Sequence, residues 1–148
     1  MFCLKPKIVF QEVPDEISIV FPVSGCDKSC PGCHSPELQL DGSGFELTDH
    51  FYQKMLEKYK DFVSCVCFFG GEWEKERLVH FLKSAHKKGL KTCLYTGSVV
   101  VHGDIYQELD YIKTGSWNKK KGGLSNPKSN QNFINVKTGE LLNYKFWK

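Results

Sequence analysis

Three cysteines fall within eight residues, in Cys26-Asp-Lys-Ser-Cys30-Pro-Gly-Cys33, directly after an apolar run over residues 17–23. That run reads as a buried strand ending at Ser24-Gly25. The loop behind it carries Pro31, Gly32 and Pro36, residue types that let a backbone wrap around a ligand. Any fold for this chain must therefore hold a cysteine loop at the end of a core strand.

The rest of the chain supplies a rhythm for such a fold. From Thr48, a candidate N-cap, Phe51, Met55, Tyr59 and Phe62 recur at helical spacing, and residues 63–69 then form a β-rich run closed by Gly70-Gly71. Leu78, Phe81, Leu82 and Ala85 mark a second helix with Gly89 as its C′ residue, followed by a strand over 91–95 that ends at Thr96-Gly97. A short helix over 105–109 and a strand over 111–113 continue the alternation, and residues 114–131 make a long polar loop. The chain closes with 133–136, a turn at Lys137-Thr138-Gly139, and 141–146, which together read as a terminal hairpin within 132–147. Parallel strands joined by right-handed helical crossovers place the residues after positions 23, 69, 95 and 113 at one sheet edge.

Composition limits the partners. With 41 % apolar residues the 148-residue chain can bury one core, and one domain is expected. A net charge of +3 does not call for a polyanion, so nucleic acid is not the expected partner. The N-terminal stretch, residues 1–23, mixes Lys, Glu, Asp and three prolines into its apolar residues and breaks any signal-peptide core. No later run is long enough to span a bilayer, so no membrane association and a cytoplasmic location are expected. Seven cysteines in such a chain argue for metal or redox chemistry over a disulfide framework.

Three chemistries compete for the cysteine loop. Structural zinc wants a fourth ligand, which would be His34, crowded against Cys33, or a distant Cys65, Cys67 or Cys93. A zinc deaminase fails earlier, because no histidine precedes His34 to begin a His-x-Glu motif. A thiol-disulfide oxidoreductase would use Cys30 and Cys33 as a C-x-x-C pair but leaves Cys26 without a role. Thiolates also suit iron–sulfur clusters, and a cubane held by only three of them keeps one iron open to substrate.

Taken in order, the motifs resemble the radical S-adenosylmethionine superfamily, and within it the activating enzymes of anaerobic, glycyl-radical ribonucleotide reductases. The resemblance is carried by Val23-Ser-Gly-Cys26-x3-Cys30-Pro-Gly-Cys33-His34, Phe69-Gly70-Gly71-Glu72, Leu94-Tyr95-Thr96-Gly97, Asp110-Tyr111-Ile112-Lys113-Thr114-Gly115 and Ser129-Asn130-Gln131. It implies one 4Fe-4S cluster on Cys26, Cys30 and Cys33. It also implies S-adenosylmethionine held by Gly32, Cys33, His34, Gly70, Gly71, Glu72, Thr96 and Gly97, with Glu72 on the ammonium of the methionyl part. The implied fold is α/β, a partial open (β/α) barrel in a single domain, 1–148, with its core over about 17–136, too short for a complete eight-fold barrel. The implied partners are the glycyl-radical subunit of an anaerobic ribonucleotide reductase and an electron donor such as flavodoxin. Trp73 stands where the family usually has proline, Ser35 where asparagine is common, and Asn132 where a basic residue is frequent.

Other residues read as structural. Cys65 and Cys67, two apart on a strand, and Cys93 read as small core residues. His50, His80, His86 and His102 show no carboxylate or second ligand at metal spacing, and Lys119-Lys120-Lys121 with Lys113 and Lys128 read as a solvated surface.

Overall fold

The computed structural model describes residues 1–28, 30–33 and 36–147. Among the described residues eight strands are formed: β1 (Phe2–Cys3), β2 (Lys7–Val9), β3 (Ser18–Pro22), β4 (Phe45–Glu46), β5 (Cys65–Phe69), β6 (Lys91–Tyr95), β7 (Tyr111–Thr114) and β8 (Asn132–Asn135). Three α-helices alternate with the central ones: α1 (Asp49–Lys58), α2 (Lys75–Lys87) and α3 (Gly103–Tyr106). Six strands form one mixed sheet in the order β2-β3-β5-β6-β7-β8. Its four inner strands run parallel, and the edge strands β2 and β8 run antiparallel to their neighbours. β1 and β4 make a separate small ribbon.

The inner strands are parallel because the three crossover segments between them, which carry α1, α2 and α3, return the chain to the starting edge. All three helices pack on one face of the sheet. There Ile19, Phe21, Val66, Phe68, Leu94 and Ile112 meet Tyr52 and Leu56 of α1, Phe81 and Ala85 of α2, and Ile105 of α3. The Tyr52 ring lies edge-on to Phe81 at 4.4 Å, and its buried hydroxyl donates to the Phe81 carbonyl at 2.8 Å. The opposite face carries Val20, Cys65, Cys67 and Cys93, covered by Val13, Leu124, Phe133 and Leu142. Period-two alternation along the strands thus sends each inner strand's side chains into two cores. Among the described residues no helix is long and apolar enough to cross a membrane.

Local signals behave as expected at two caps. Thr48 Oγ1 accepts the Phe51 backbone N–H at 3.1 Å, and Gly89, with φ of +77°, follows the α2 C-cap Lys88.

Three expectations need correction. α1 ends at Lys58 with Tyr59 as C-cap, so Phe62 lies beyond the helix and is 67 % exposed. The third helix spans 103–106, not 105–109, because His102 caps it by accepting the Asp104 N–H. The terminal hairpin is cut short: Asn135 N–H donates to the Glu140 carbonyl at 2.9 Å and Leu142 N–H to the Phe133 carbonyl at 2.7 Å, and pairing stops there. Leu141 makes only an isolated bridge to Ile134, and Asn143–Phe146 is a 3₁₀ turn. The reason is Asn143, whose buried amide accepts the Phe133 N–H at 2.7 Å and donates to the Gln131 carbonyl at 2.8 Å. A side chain thereby takes the Phe133 N–H and the Gln131 carbonyl, so the returning backbone pairs no further than the Ile134–Leu141 bridge.

Candidate functional site

The parallel ladder continues one residue past the strand ends into the motifs. Val23 N–H donates to the Phe69 carbonyl, Gly70 N–H to Tyr95, and Thr96 N–H to Lys113, at 2.8–2.9 Å. The cysteine loop, the Gly70-Gly71-Glu72 turn and the Thr96-Gly97 turn are thus brought to a common edge in step. The cysteine loop is fixed at its base, where the Gly25 and Cys26 N–H groups both donate to the Leu38 carbonyl, at 2.7 and 2.8 Å.

These turns surround one cavity of about 670 Å³ whose lining includes Cys26, Cys30, Cys33, Gly70, Glu72, Thr96 and Gly97. The volume is in the range of small-molecule sites. Gly32 and Gly71 do not line it. Gly71 has φ of +108° and backs onto Val23, so its contribution is a turn that few other residues would make. His34 lies outside the described residues.

Glu72 is a half-buried acid in the wall of this cavity. Its Oε1 accepts the Thr96 hydroxyl at 2.6 Å, while its Oε2 is buried without a hydrogen-bond partner. Thr96 is itself oriented, because its Oγ1 accepts the Ser98 N–H at 3.0 Å. A buried acceptor without a partner is costly, and the cost is offset when a cationic donor enters the cavity.

Around the cysteines the backbone makes a tight turn, with the Cys33 N–H donating to the Cys30 carbonyl at 3.1 Å. Pro31 and Gly32 occupy that turn, and no redox helix starts at Cys30. Burial pushes the Cys26 thiol up; a hydrogen bond from the Lys28 backbone opposes this, and Glu72 and Cys30 add to the rise. None of the seven cysteines forms a disulfide among the described residues.

Three residues in the lining escaped the sequence reading. Trp73 packs against two of the motif glycines: a Cβ on Gly70 would lie 2.6 Å from its ring, and one on Gly25 would lie 3.1 Å from its Nε1. The tryptophan thereby joins the glutamate turn to the cysteine loop. Trp117, from the long polar loop, lines the cavity next to Gly32, where a Cβ would lie 3.6 Å from its Nε1. Lys113 is the third and corrects the expectation of a solvated surface. It is only 9 % exposed and faces the cavity, and burial holds its ammonium below the ordinary value against the pull of Cys30, Cys93 and Glu72. Residues 119–121 are exposed as expected.

Folding brings carboxylates to three of the histidines as ion-pair partners, and among the described residues none of these clusters can hold a metal. His86 lies 3.0 Å from Asp110 and 3.4 Å from Glu108, His80 lies 2.9 Å from Asp49, and His102 lies 3.7 Å from Asp104. Cys65, Cys67 and Cys93 are fully buried in the second core.

Among the described residues no three His, Cys, Asp or Glu side chains stand close enough to grip a single metal ion. The three loop cysteines instead border a shared volume. That arrangement fits a four-iron cluster, which is bulkier than one ion and takes soft thiolate donors.

Comparison with known proteins gives a consistent result. The model of a family described as a 4Fe-4S single cluster domain matches residues 17–134, from the strand before the cysteine loop to the last strand of the sheet. No curated protein and no solved structure matches the chain.

Proposed function

The chain belongs to the 4Fe-4S single cluster domain family, and from that premise we propose that it is a radical S-adenosylmethionine enzyme that installs a glycyl radical on an anaerobic ribonucleotide reductase. The observation that carries the reading is the meeting of Cys26, Cys30 and Cys33 with the unpartnered Oε2 of Glu72 in one cavity at the carboxyl ends of parallel strands. An iron–sulfur protein that only stores electrons has no use for a buried carboxylate oxygen aimed into a ligand-sized space.

Cys26, Cys30 and Cys33 would hold the cluster. When bound and reduced, it supplies the electron that splits S-adenosylmethionine into methionine and a 5′-deoxyadenosyl radical. The protein's part is position and charge. Glu72 receives the ammonium of the methionyl part on its open oxygen, and Thr96 fixes the carboxylate by holding the other. Gly70, with φ of +77°, lets the turn carrying Glu72 lie close against Trp73. Trp73, Trp117 and Leu38 line the cavity with apolar surface that limits water around a reactive species.

The sheet belongs to this reading as a partial, open barrel. Helices on one face only are what a barrel wall requires, whereas a doubly wound sheet carries them on both. An incomplete wall leaves room for a glycine-bearing loop of a macromolecular substrate, and a cytoplasmic flavodoxin-like protein is the expected source of electrons.

The test is anaerobic incubation of the reduced, cluster-loaded protein with S-adenosylmethionine and a class of reductase bearing a C-terminal glycine-radical site, read by electron paramagnetic resonance. The expected result is a carbon-centred doublet on the reductase that collapses when the glycine carries deuterium at Cα. A reductase that stays silent while 5′-deoxyadenosine accumulates would assign the chemistry to a different substrate.

A further inference from the structure

Lys113 sits on β7, paired in register with Tyr95 on one side and Phe133 on the other, and its side chain reaches the cavity that the three loop cysteines border. Its Nζ donates to the Gly115 carbonyl at 3.2 Å and lies 5.5 Å from the centre of the Tyr95 ring. A carbonyl and a ring face orient an ammonium, but neither is an anion. The Glu72 carboxylate pulls on it but makes no ion pair with it, since Oε1 accepts from Thr96 and Oε2 has no hydrogen-bond partner. Cys65, Cys67 and Cys93, on the same sheet face, are buried thiols, and burial holds Cys65 and Cys93 protonated.

A lysine withdrawn from water is costly unless an opposite charge faces it. The anion that the surroundings call for is the assembly on Cys26, Cys30 and Cys33. A four-iron cluster with three thiolates carries net negative charge, and reduction adds one more unit with no bond made or broken. Net charge and nearby hydrogen-bond donors are among the factors that set the reduction potential of such clusters.

We infer that Lys113 is a positioning cation for the cluster, which favours the reduced state and raises the reduction potential to one that a low-potential one-electron donor can reach. The inference rests on the cluster reading above. It explains why a lysine occupies the inward face of an inner strand. It also gives Lys113 and Glu72 separate tasks in one cavity, the first toward the anionic cluster and the second toward a cationic ligand.

The experiment compares the wild-type protein with Lys113→Met, Lys113→Gln and Lys113→Arg, each reconstituted anaerobically. Iron and sulfide content and thermal unfolding establish that the cluster is present and the fold intact. Dithionite titration followed by electron paramagnetic resonance then gives the midpoint potential. The expected result is a more negative midpoint in the Met and Gln proteins and a return toward the wild-type value in Arg. If neutral side chains prevent cluster assembly while Arg allows it, the same requirement for charge is met; failure of Arg as well would overturn it. Intact clusters at one unchanged midpoint would overturn the role of Lys113 alone. An unchanged midpoint with weakened S-adenosylmethionine binding would overturn it in favour of a ligand carboxylate. Wild-type protein that takes up no iron and sulfide would overturn the cluster reading itself, and the role of Lys113 with it.

Discussion

The Thr96 hydroxyl donates to Glu72 Oε1 across 2.6 Å and leaves the second carboxylate oxygen buried and open. The two residues come from the ends of neighbouring parallel strands, so their meeting is a product of sheet register. The pair makes a carboxylate whose direction is fixed before any ligand arrives.

Replacing Glu72 tests that arrangement. A charged hydrogen bond contributes about 1.5–3 kcal/mol, so Glu72→Gln is expected to weaken S-adenosylmethionine binding by roughly ten- to a hundredfold. Thr96→Val removes a neutral donor and is expected to cost about 0.5–1.5 kcal/mol. Equilibrium dialysis on cluster-loaded protein reads both. Visible absorbance of the cluster should be unchanged, since neither residue is a thiolate.

Gly70 and Trp73 form a second testable pair. Gly70 combines φ of +77° with a tryptophan ring 2.6 Å from where a Cβ would sit. Gly70→Ala is therefore expected to destabilise the fold by about 1–2 kcal/mol from backbone conformation, with a further cost from the clash. Adding Trp73→Ala should relieve the clash but not the backbone term, giving a coupling of about 0.5–3 kcal/mol in a double-mutant cycle measured by urea unfolding. Additive effects would mean that the ring does not rest on the glycine.

Alkaline pH should weaken the fold through its buried thiols. Burial pushes the Cys3 thiol from 9.0 up to about 12, and burial raises Cys65 and Cys93 as well. The folded state thus keeps these protons more tightly than the unfolded chain does. The Cys3 contribution is complete below pH 9.0 and is lost as pH rises from there toward about 12, and that of Cys65 and Cys93 is likewise lost only on the alkaline side. The urea midpoint is expected to fall between about pH 8 and about pH 10.5, with a smaller fall in Cys3→Ala. Equal falls in both proteins would remove Cys3 from the account.

What the sequence made legible was mostly local. Thr48 and Gly89 announce their helix ends because capping depends on a few adjacent residues. The cysteine loop was legible because three thiols in one short segment share a ligand whatever surrounds them. The N-terminal strands were not, since β1 and β2 are only two and three residues long and β1 owes its pairing to the distant β4. Lys113 was misread because charge in a polar neighbourhood suggests solvent. The available signal was its alternation with Ile112: Ile112 faces the helices, so its neighbours Tyr111 and Lys113 must face the other core. Trp73 and Trp117 could not be placed, because which glycine an aromatic ring will cover is decided by loop geometry. The early end of the terminal hairpin has the same origin, as nothing in local patterning marks Asn143 as the residue that takes over the β8 edge beyond Leu141.

The most direct measurement is product formation by the protein alone. Reconstituted, dithionite-reduced protein is incubated anaerobically with S-adenosylmethionine beside a Cys26→Ala control, and 5′-deoxyadenosine and methionine are quantified by chromatography. The wild-type protein is expected to give equal amounts of both products, dependent on reductant, and Cys26→Ala neither. A verified, reduced cluster that yields neither product, even with the glycine-bearing reductase present, would contradict the proposed chemistry.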